Sequence, residues 1–267
     1  MQMNSVPTLS IIGMVFSLVI AIVIPVALCI LVRHKTKARL SSFFYGCAIF
    51  FVFALVLEQI LHVIVLHVFG KGITENILLY ALYGGMAAAL FEETGRFVAM
   101  KFLIKKHLTK ENALMYGVGH GGLESILIVG ISYLNNIVMT ILINSSQIET
   151  MLAPLSESQK ESTLQTLSAL WTLPSAQFFA AGVERILAIA LQISLSILVY
   201  KAVKSGQKKF WVLAVGFHFL VDFIAVISAQ KISIWFTEAL ILAMTAVIGV
   251  IAYRIFKAES ENNKACA

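Results

Sequence analysis

The sequence predicts an all-α, polytopic membrane protein. Three observations carry this: 59% of the 267 residues are hydrophobic and only 13% are charged, the mean hydropathy is +0.90, and the apolar residues gather into long runs. A soluble domain carries about 25% charged residues, so a water-soluble globular protein, a disordered chain and a disulfide scaffold are excluded. A formal charge of +6 invites a nucleic-acid reading, but the basic residues cluster where apolar runs end, and no nucleic-acid partner is expected. Cys29, Cys47 and Cys266 are too few and too scattered for a disulfide framework or a thiolate metal site. The first two sit in apolar runs and read as small buried hydrophobes.

A bilayer core needs ~20 mostly apolar residues in a helix. Seven runs meet or approach this: 9–32, 42–66, 76–104, 112–143, 176–200, 210–228 and 232–256. No Lys or Arg precedes Leu9, and the first run is too long for the core of a cleaved leader. The fourth run is long and holds Asn135 and Asn136, which predicts a tilt or break there. Period-2 alternation is absent, so a barrel is not expected.

Basic residues orient the runs. Arg33, Lys35, Lys37 and Arg39 follow the first; Lys101, Lys105, Lys106 and Lys110 the third; Lys201, Lys204, Lys208 and Lys209 the fifth; Arg254, Lys257 and Lys264 the seventh. The opposite side has only Lys71, Lys160 and Lys231. This asymmetry puts the N-terminus outside and the C-terminus in the cytoplasm, and gives the inner face some attraction to anionic lipid. The chain reads as one transmembrane helical domain over 1–267 in a bacterial plasma membrane. Its external connector covers about 145–171 and its motif-bearing core about 76–228. In the connector, Ser156 followed by Gln159 predicts a capping box, and Leu164, Leu167 and Trp171 recur at helical spacing, as in a short amphipathic helix on the outer surface.

Ionisable groups inside spans cost roughly 2.5–3.5 kcal/mol each on insertion scales. Half of the 14 acids fall there: Glu58, Glu92, Glu93, Glu124, Glu184, Asp222 and Glu238, joined by Arg96, Arg185, His62, His120 and His218. Their spacing is helical: Glu92 and Glu93 precede Arg96 by four and three residues, His120 precedes Glu124 by four, and His218 precedes Asp222 by four. At ~1.5 Å per residue, Glu92 lies about 13 Å from Lys101, His120 about 12 Å from Asn112 and His218 about 12 Å from Phe210. Three helices thus bring acids and imidazoles to one level. Glu58 and Arg185 lie about 24 Å from their own run ends, and with His62 and Glu184 form a second, structural polar layer. Gly84, Gly85, Gly117, Gly119, Gly121 and Gly122 around the lower level let helices approach closely.

The strings Glu92-Glu93-Thr94-Gly95-Arg96, His120-Gly121-Gly122-Leu123-Glu124 and His218-Phe219-Leu220-Val221-Asp222 resemble a known set. It is that of the multi-pass intramembrane proteases that include the CAAX-prenyl proteases, the bacterial CAAX-like immunity proteins and PrsW. The likeness is closest to the YhfC branch and runs from about Gly84 to Asp222. Arg96 falls one residue early for the EExxxR pattern and is nearer to EExxK. His120 occupies the aromatic position of the second motif and Glu124 the position of its His or Glu, so the two compete for that role. The resemblance implies peptide-bond hydrolysis within the membrane, on a membrane protein or peptide substrate, with Glu92 as general base and Glu93 as its orienting partner.

Residue chemistry agrees. A pair of carboxyls in a low-dielectric site can take a proton from water and return one to a leaving amine. Arg96 can hold one carboxylate ionised, and His120 and His218 can stabilise an oxyanion. Zinc held by Glu92, Glu93, His120, Glu124 and His218 is the competing chemistry. The excess of carboxylates, the cation of Arg96 and the lack of HExxH favour a glutamic mechanism without a cofactor. Ser125 beside Glu124 lacks a triad context and reads as a packing residue. A proton- or cation-coupled transporter uses the same residue types, but no internal repeat supports it; a non-catalytic scaffold is the third reading. The orientation is tested by tag accessibility: tags at Lys35 and at the C-terminus should be protected in intact cells, and one at Gln159 labelled. An externally labelled C-terminus would reject it.

Overall fold

The computed structural model describes residues 5–265, apart from the side chains of 230, 231 and 262–265. Cys266 lies outside these, as do the side chains of Lys231 and Lys264, which were counted in the charge asymmetry. The described residues are almost entirely helical and contain no strand: α1 (Thr8–Thr36), α2 (Leu40–Thr74), α3 (Ile77–Val98), α4 (Lys110–Asn144), α5 (Ile148–Leu152), α6 (Glu157–Leu167), α7 (Ala169–Thr172), α8 (Ser175–Ser205), α9 (Lys209–Lys231) and α10 (Ile234–Ala265). The protein is an all-α polytopic membrane protein. Among the described residues six helices, α1, α2, α4, α8, α9 and α10, are long and apolar enough to cross a bilayer. The remaining expected run, 76–104, is α3. Asn76 starts it by accepting the backbone N–H groups of Leu78 and Leu79. Its 22 residues would reach about 33 Å, but Glu92, Glu93 and Arg96 dilute its apolarity, so it falls outside the six.

Only α8 is strongly covered: 67% of its most apolar stretch is buried, against 17–22% in the other five. Those five present leucine, isoleucine, valine and phenylalanine outward, for example Val23, Phe44, Val63, Ile141 and Val247. In water such surfaces would be a large liability; in lipid they are the contact face.

Three helices contain one wide turn bonded i to i+5: Phe53–Glu58 in α2, Ala99–Leu103 continuing α3, and Ile126–Gly130 in α4. The expected break at Asn135 and Asn136 is not found; both lie inside the regular helical stretch Ile131–Asn144. The irregularity of α4 sits one turn earlier, and a side-chain amide does not force the backbone to open. Further out in α2, Gly70 adopts a positive φ of 29°, which glycine tolerates, and makes the kink near its end.

The chain forms two compact units. One runs to Ile24 and takes in Ser125–Ile186; the other comprises Pro25–Glu124 and the chain from Leu187 on. The first has its own core of Met14, Ile143, Ile148, Leu152, Leu170 and Phe178, against which Leu164, Leu167 and Trp171 pack. The connector is three short helices rather than one. The capping box on Ser156 and Gln159 forms as expected.

The second unit carries the candidate site. In α3 the buried residues Ala81, Gly85, Ala89, Glu92 and Arg96 recur every three or four positions, forming one stripe. The small ones let α3 approach α9: a Cβ on Gly85 would lie 3.3 Å from the Phe219 carbonyl oxygen. Tighter still is the crossing of α2 and α4. A Cβ on Gly119 would fall 2.0 Å from the Phe43 carbonyl oxygen, and one on Gly46 would fall 2.2 Å from that of Tyr116. Cys47 donates to the Gly119 carbonyl at 3.2 Å; Cys47 and Cys29 are free and half-buried, less covered than their apolar runs implied. Since backbone cannot yield as a side-chain tip can, Gly119→Ala should cost about 1–3 kcal/mol by overpacking. Gly84, with nothing near its would-be Cβ, should tolerate alanine or gain about 0.5–1 kcal/mol. Unfolding of the two purified variants in detergent checks this; equal stabilities would refute the crossing.

Candidate active site and metal centre

The packing of α3 against α4, α8 and α9 assembles the lower polar level inside the second unit. Glu92 and Glu93 are consecutive, so their side chains leave α3 about 100° apart and serve different neighbours. Glu92 faces α4 and α8: its Oε2 lies 2.8 Å from His120 Nε2 and accepts from Gln192 Nε2 at 3.0 Å. Glu93 faces α9: its Oε1 lies 2.9 Å from His218 Nδ1, and its backbone carbonyl accepts the Trp211 indole N–H at 3.1 Å. His218 Nε2 then points to Asp222 Oδ2 at 3.5 Å and Glu92 Oε2 at 3.9 Å.

Arg96 is fully buried, and its donors are distributed. Nε lies 3.5 Å from Glu93 Oε2. Nη1 donates to the Gln192 carbonyl at 2.8 Å and to Ser196 Oγ at 3.2 Å, and Nη2 donates to Gln192 Oε1. Arg96 is therefore turned to Glu93 and to α8, and the side chain of Gln192 bonds both Arg96 and Glu92. The same amide nitrogen donates to Glu124 Oε2 at 2.9 Å. His120 is boxed edge-on by Phe50, with ring centres 5.1 Å apart, and its Nδ1 is buried with no hydrogen-bond partner among the described residues.

All seven residues expected at this level, Glu92, Glu93, Arg96, His120, Glu124, His218 and Asp222, lie in this network or at its edge. The edge is at Asp222, whose side chain is 33% exposed against 0–9% for Glu92, Glu93, Arg96 and His120, so the level opens there. Ser125 is fully buried, as a packing residue should be. Two members escaped the sequence reading, Gln192 and Ser196. Neither is ionisable, and the available signal was only that α8 carries an amide and a hydroxyl one turn apart within an apolar run.

The residues expected in the second polar layer, Glu58, His62, Glu184 and Arg185, divide between the two units. Glu58 meets His62, one turn along α2, at 3.1 Å; His62 Nδ1 in turn lies 2.7 Å from the Tyr83 hydroxyl. Arg185 bonds its chain neighbour Glu184, and these two belong to the other unit. Glu58 is close enough to Glu92, His218 and Asp222 for their charges to act on it, so it borders the lower level.

One ligand atom from each of Glu92, His120 and Glu124 lies within 4.8 Å of the others, and all three residues are buried. One imidazole nitrogen with two carboxylate oxygens is a donor set zinc accepts. Glu93 and His218, also proposed as ligands, fall outside that group, although His218 Nε2 lies 3.9 Å from Glu92 Oε2.

These features define a class: an all-α, multi-pass membrane protein with a buried acid–histidine centre. The chain belongs to the YhfC intramembrane metalloprotease family, which matches residues 20–255. It is similar to the membrane protein YhfC of Bacillus subtilis (strain 168), with 38% identity over 245 residues that cover 89% of this chain and 94% of that one. No solved structure matches. A bacterial cell membrane location agrees with both. The family's description leans toward metal chemistry, and the expectation of a cofactor-free glutamic mechanism gives way.

Breaking a buried ion pair costs about 3–5 kcal/mol because one charge is stranded. Arg96→Leu should lose about that much, and distinctly less when made on a Glu93→Gln background. A double-mutant cycle by chemical denaturation measures the coupling; strictly additive losses would show that Arg96 and Glu93 do not act as a pair.

Proposed function

We propose that this protein is a zinc-dependent intramembrane endopeptidase that hydrolyses peptide bonds of membrane-associated protein or peptide substrates. The observation that carries the reading is the buried group of Glu92, His120 and Glu124, in a member of a family described as intramembrane metalloproteases.

In this reading Glu92, Glu124 and one ring nitrogen of His120 hold the ion. A divalent cation there supplies Lewis acidity toward the scissile carbonyl and eases deprotonation of water. The remaining work belongs to the chain. Glu93 fixes the orientation of His218 through Nδ1, so that Nε2 faces the acids Glu92 and Asp222. From that atom His218 donates a hydrogen bond to the developing oxyanion or a proton to the leaving amine. Asp222, at the opening, borders the path by which water and the backbone of a locally unwound substrate reach the level. Arg96, 3.5 Å from Glu93 Oε2, holds the carboxylate that orients His218. The apolar faces of the surrounding helices exclude bulk water, so each of these interactions acts in a low dielectric.

Purified protein should contain one zinc per chain, cut a single-span helical peptide, lose cleavage to a chelator and regain it on zinc addition. Glu124→Gln and Glu92→Gln should lose both metal and cleavage. His218→Gln should keep the metal and retain a donor, with cleavage reduced roughly 10²–10³-fold. Cleavage that persists at full rate in metal-free protein would sink the zinc reading and return the glutamic one. Loss of zinc in His218→Gln would move His218 into the ligand set.

A further inference from the structure

We infer that Gln192 is a positioning residue that presets the separation of the two carboxylate ligands, Glu92 and Glu124, before a divalent cation arrives. This rests on the metal reading above. A glutamine carboxamide has one acceptor oxygen and two N–H donors. Arg96 has donors only, and it occupies both the carbonyl and Oε1 of Gln192. That fixes which way round the amide sits, and both N–H groups then face the acids. They divide between Glu92 Oε2 at 3.0 Å and Glu124 Oε2 at 2.9 Å. The two carboxylates come from different helices, α3 and α4, and the amide that spans them comes from a third, α8.

The stem of Gln192 is held as firmly as its head. A Cβ on Gly121 would lie 3.0 Å from Gln192 Cβ, so α4 and α8 press together against the side chain and leave it little room to change rotamer. Ser196 Oγ donates to the Gln192 carbonyl at 2.8 Å. Two buried carboxylates brought together by helix packing alone would repel one another. A neutral double donor between them holds their oxygens at a separation suited to a shared cation and adds no positive charge to compete with it. Outer-shell partners of this kind typically set 10–100-fold in metal affinity.

The test uses the full chain in detergent, stripped of metal and titrated with zinc in competition with a chromophoric chelator, and with cobalt(II) for its visible spectrum. Gln192→Met removes both donors at similar volume and should weaken zinc binding by about 10–100-fold, with an altered cobalt spectrum. Gln192→Glu keeps an acceptor for Arg96 and replaces the shared donor with a carboxylate oxygen beside the two acids. It should bind zinc more tightly than the natural protein. Opposite signs in the two variants separate positioning from packing, because a packing role lowers thermal stability in both and leaves the affinity of the folded molecules unchanged. Affinity within threefold of the natural protein in both variants, with Glu124→Gln weakened in the same assay, would overturn the inference. Should Gln192→Met not fold, the direction of change in Gln192→Glu decides alone. A natural protein that takes up neither zinc nor cobalt would instead overturn the metal reading itself.

Discussion

A buried guanidinium inside a bilayer is the constraint around which the second unit is organised. Arg96 has five N–H donors and no way to shed its charge, and no water in the hydrocarbon region can serve them. Each partner it takes, Glu93 beside it on α3 and the carbonyl, amide and hydroxyl groups of Gln192 and Ser196 on α8, fixes another helix face. Once Glu93 is committed to Arg96, its other oxygen orients His218 on α9; once Gln192 is committed, its amide collects Glu92 and Glu124. One unavoidable charge thereby sets the azimuth of three helices and the pose of six side chains. The network tolerates its expense only because it is nearly closed.

Close approach of backbones makes that closure possible. Gly119 and Gly46 at the α2–α4 crossing and Gly85 at the α3–α9 crossing bring main chains near enough for short polar side chains to meet. Gly117 and Gly121 do the same where α4 meets α8, and there Gln192 and Glu124 touch directly. The wide turns Phe53–Glu58, Ala99–Leu103 and Ile126–Gly130 lie beside Glu58, Arg96 and Glu124, and single wide turns of this type recur at functional sites. Packing and chemistry are thus arranged by the same local departures from regular helix.

Much of this was legible in the chain itself. Apolar run length and the clustering of lysines and arginines at run ends defined a helical membrane protein, and the i, i+4 spacing of acids and histidines placed Glu92, His120 and His218 on one level. What escaped depended on rotation about helix axes. Glu92 and Glu93 look like one dyad in sequence, while in space they part to different helices. Gln192 was invisible because it is neutral and stands in an apolar stretch; its role exists only through partners distant in the chain. Wide turns have no residue signature at all, so the irregularity of α4 was assigned to Asn135 and Asn136, the polar residues in view.

The wide turn at Ile126–Gly130 also bears on how this chain can tolerate insertions and deletions. Such a turn accommodates one residue more than a regular helical turn over the same rise, so the stretch beyond it is out of phase with the stretch before it by one residue, about 100° of rotation. The sequence patterns of Lys110–Ser125 and Ile131–Asn144 are therefore in two different registers. Deleting one residue between 126 and 130 would leave composition and span length almost unchanged, yet swing every side chain from Ile131 to Asn144 onto a new face. Substitutions in this segment act locally. A change of length acts on a whole half-helix, so the number of residues here is constrained more tightly than their identity.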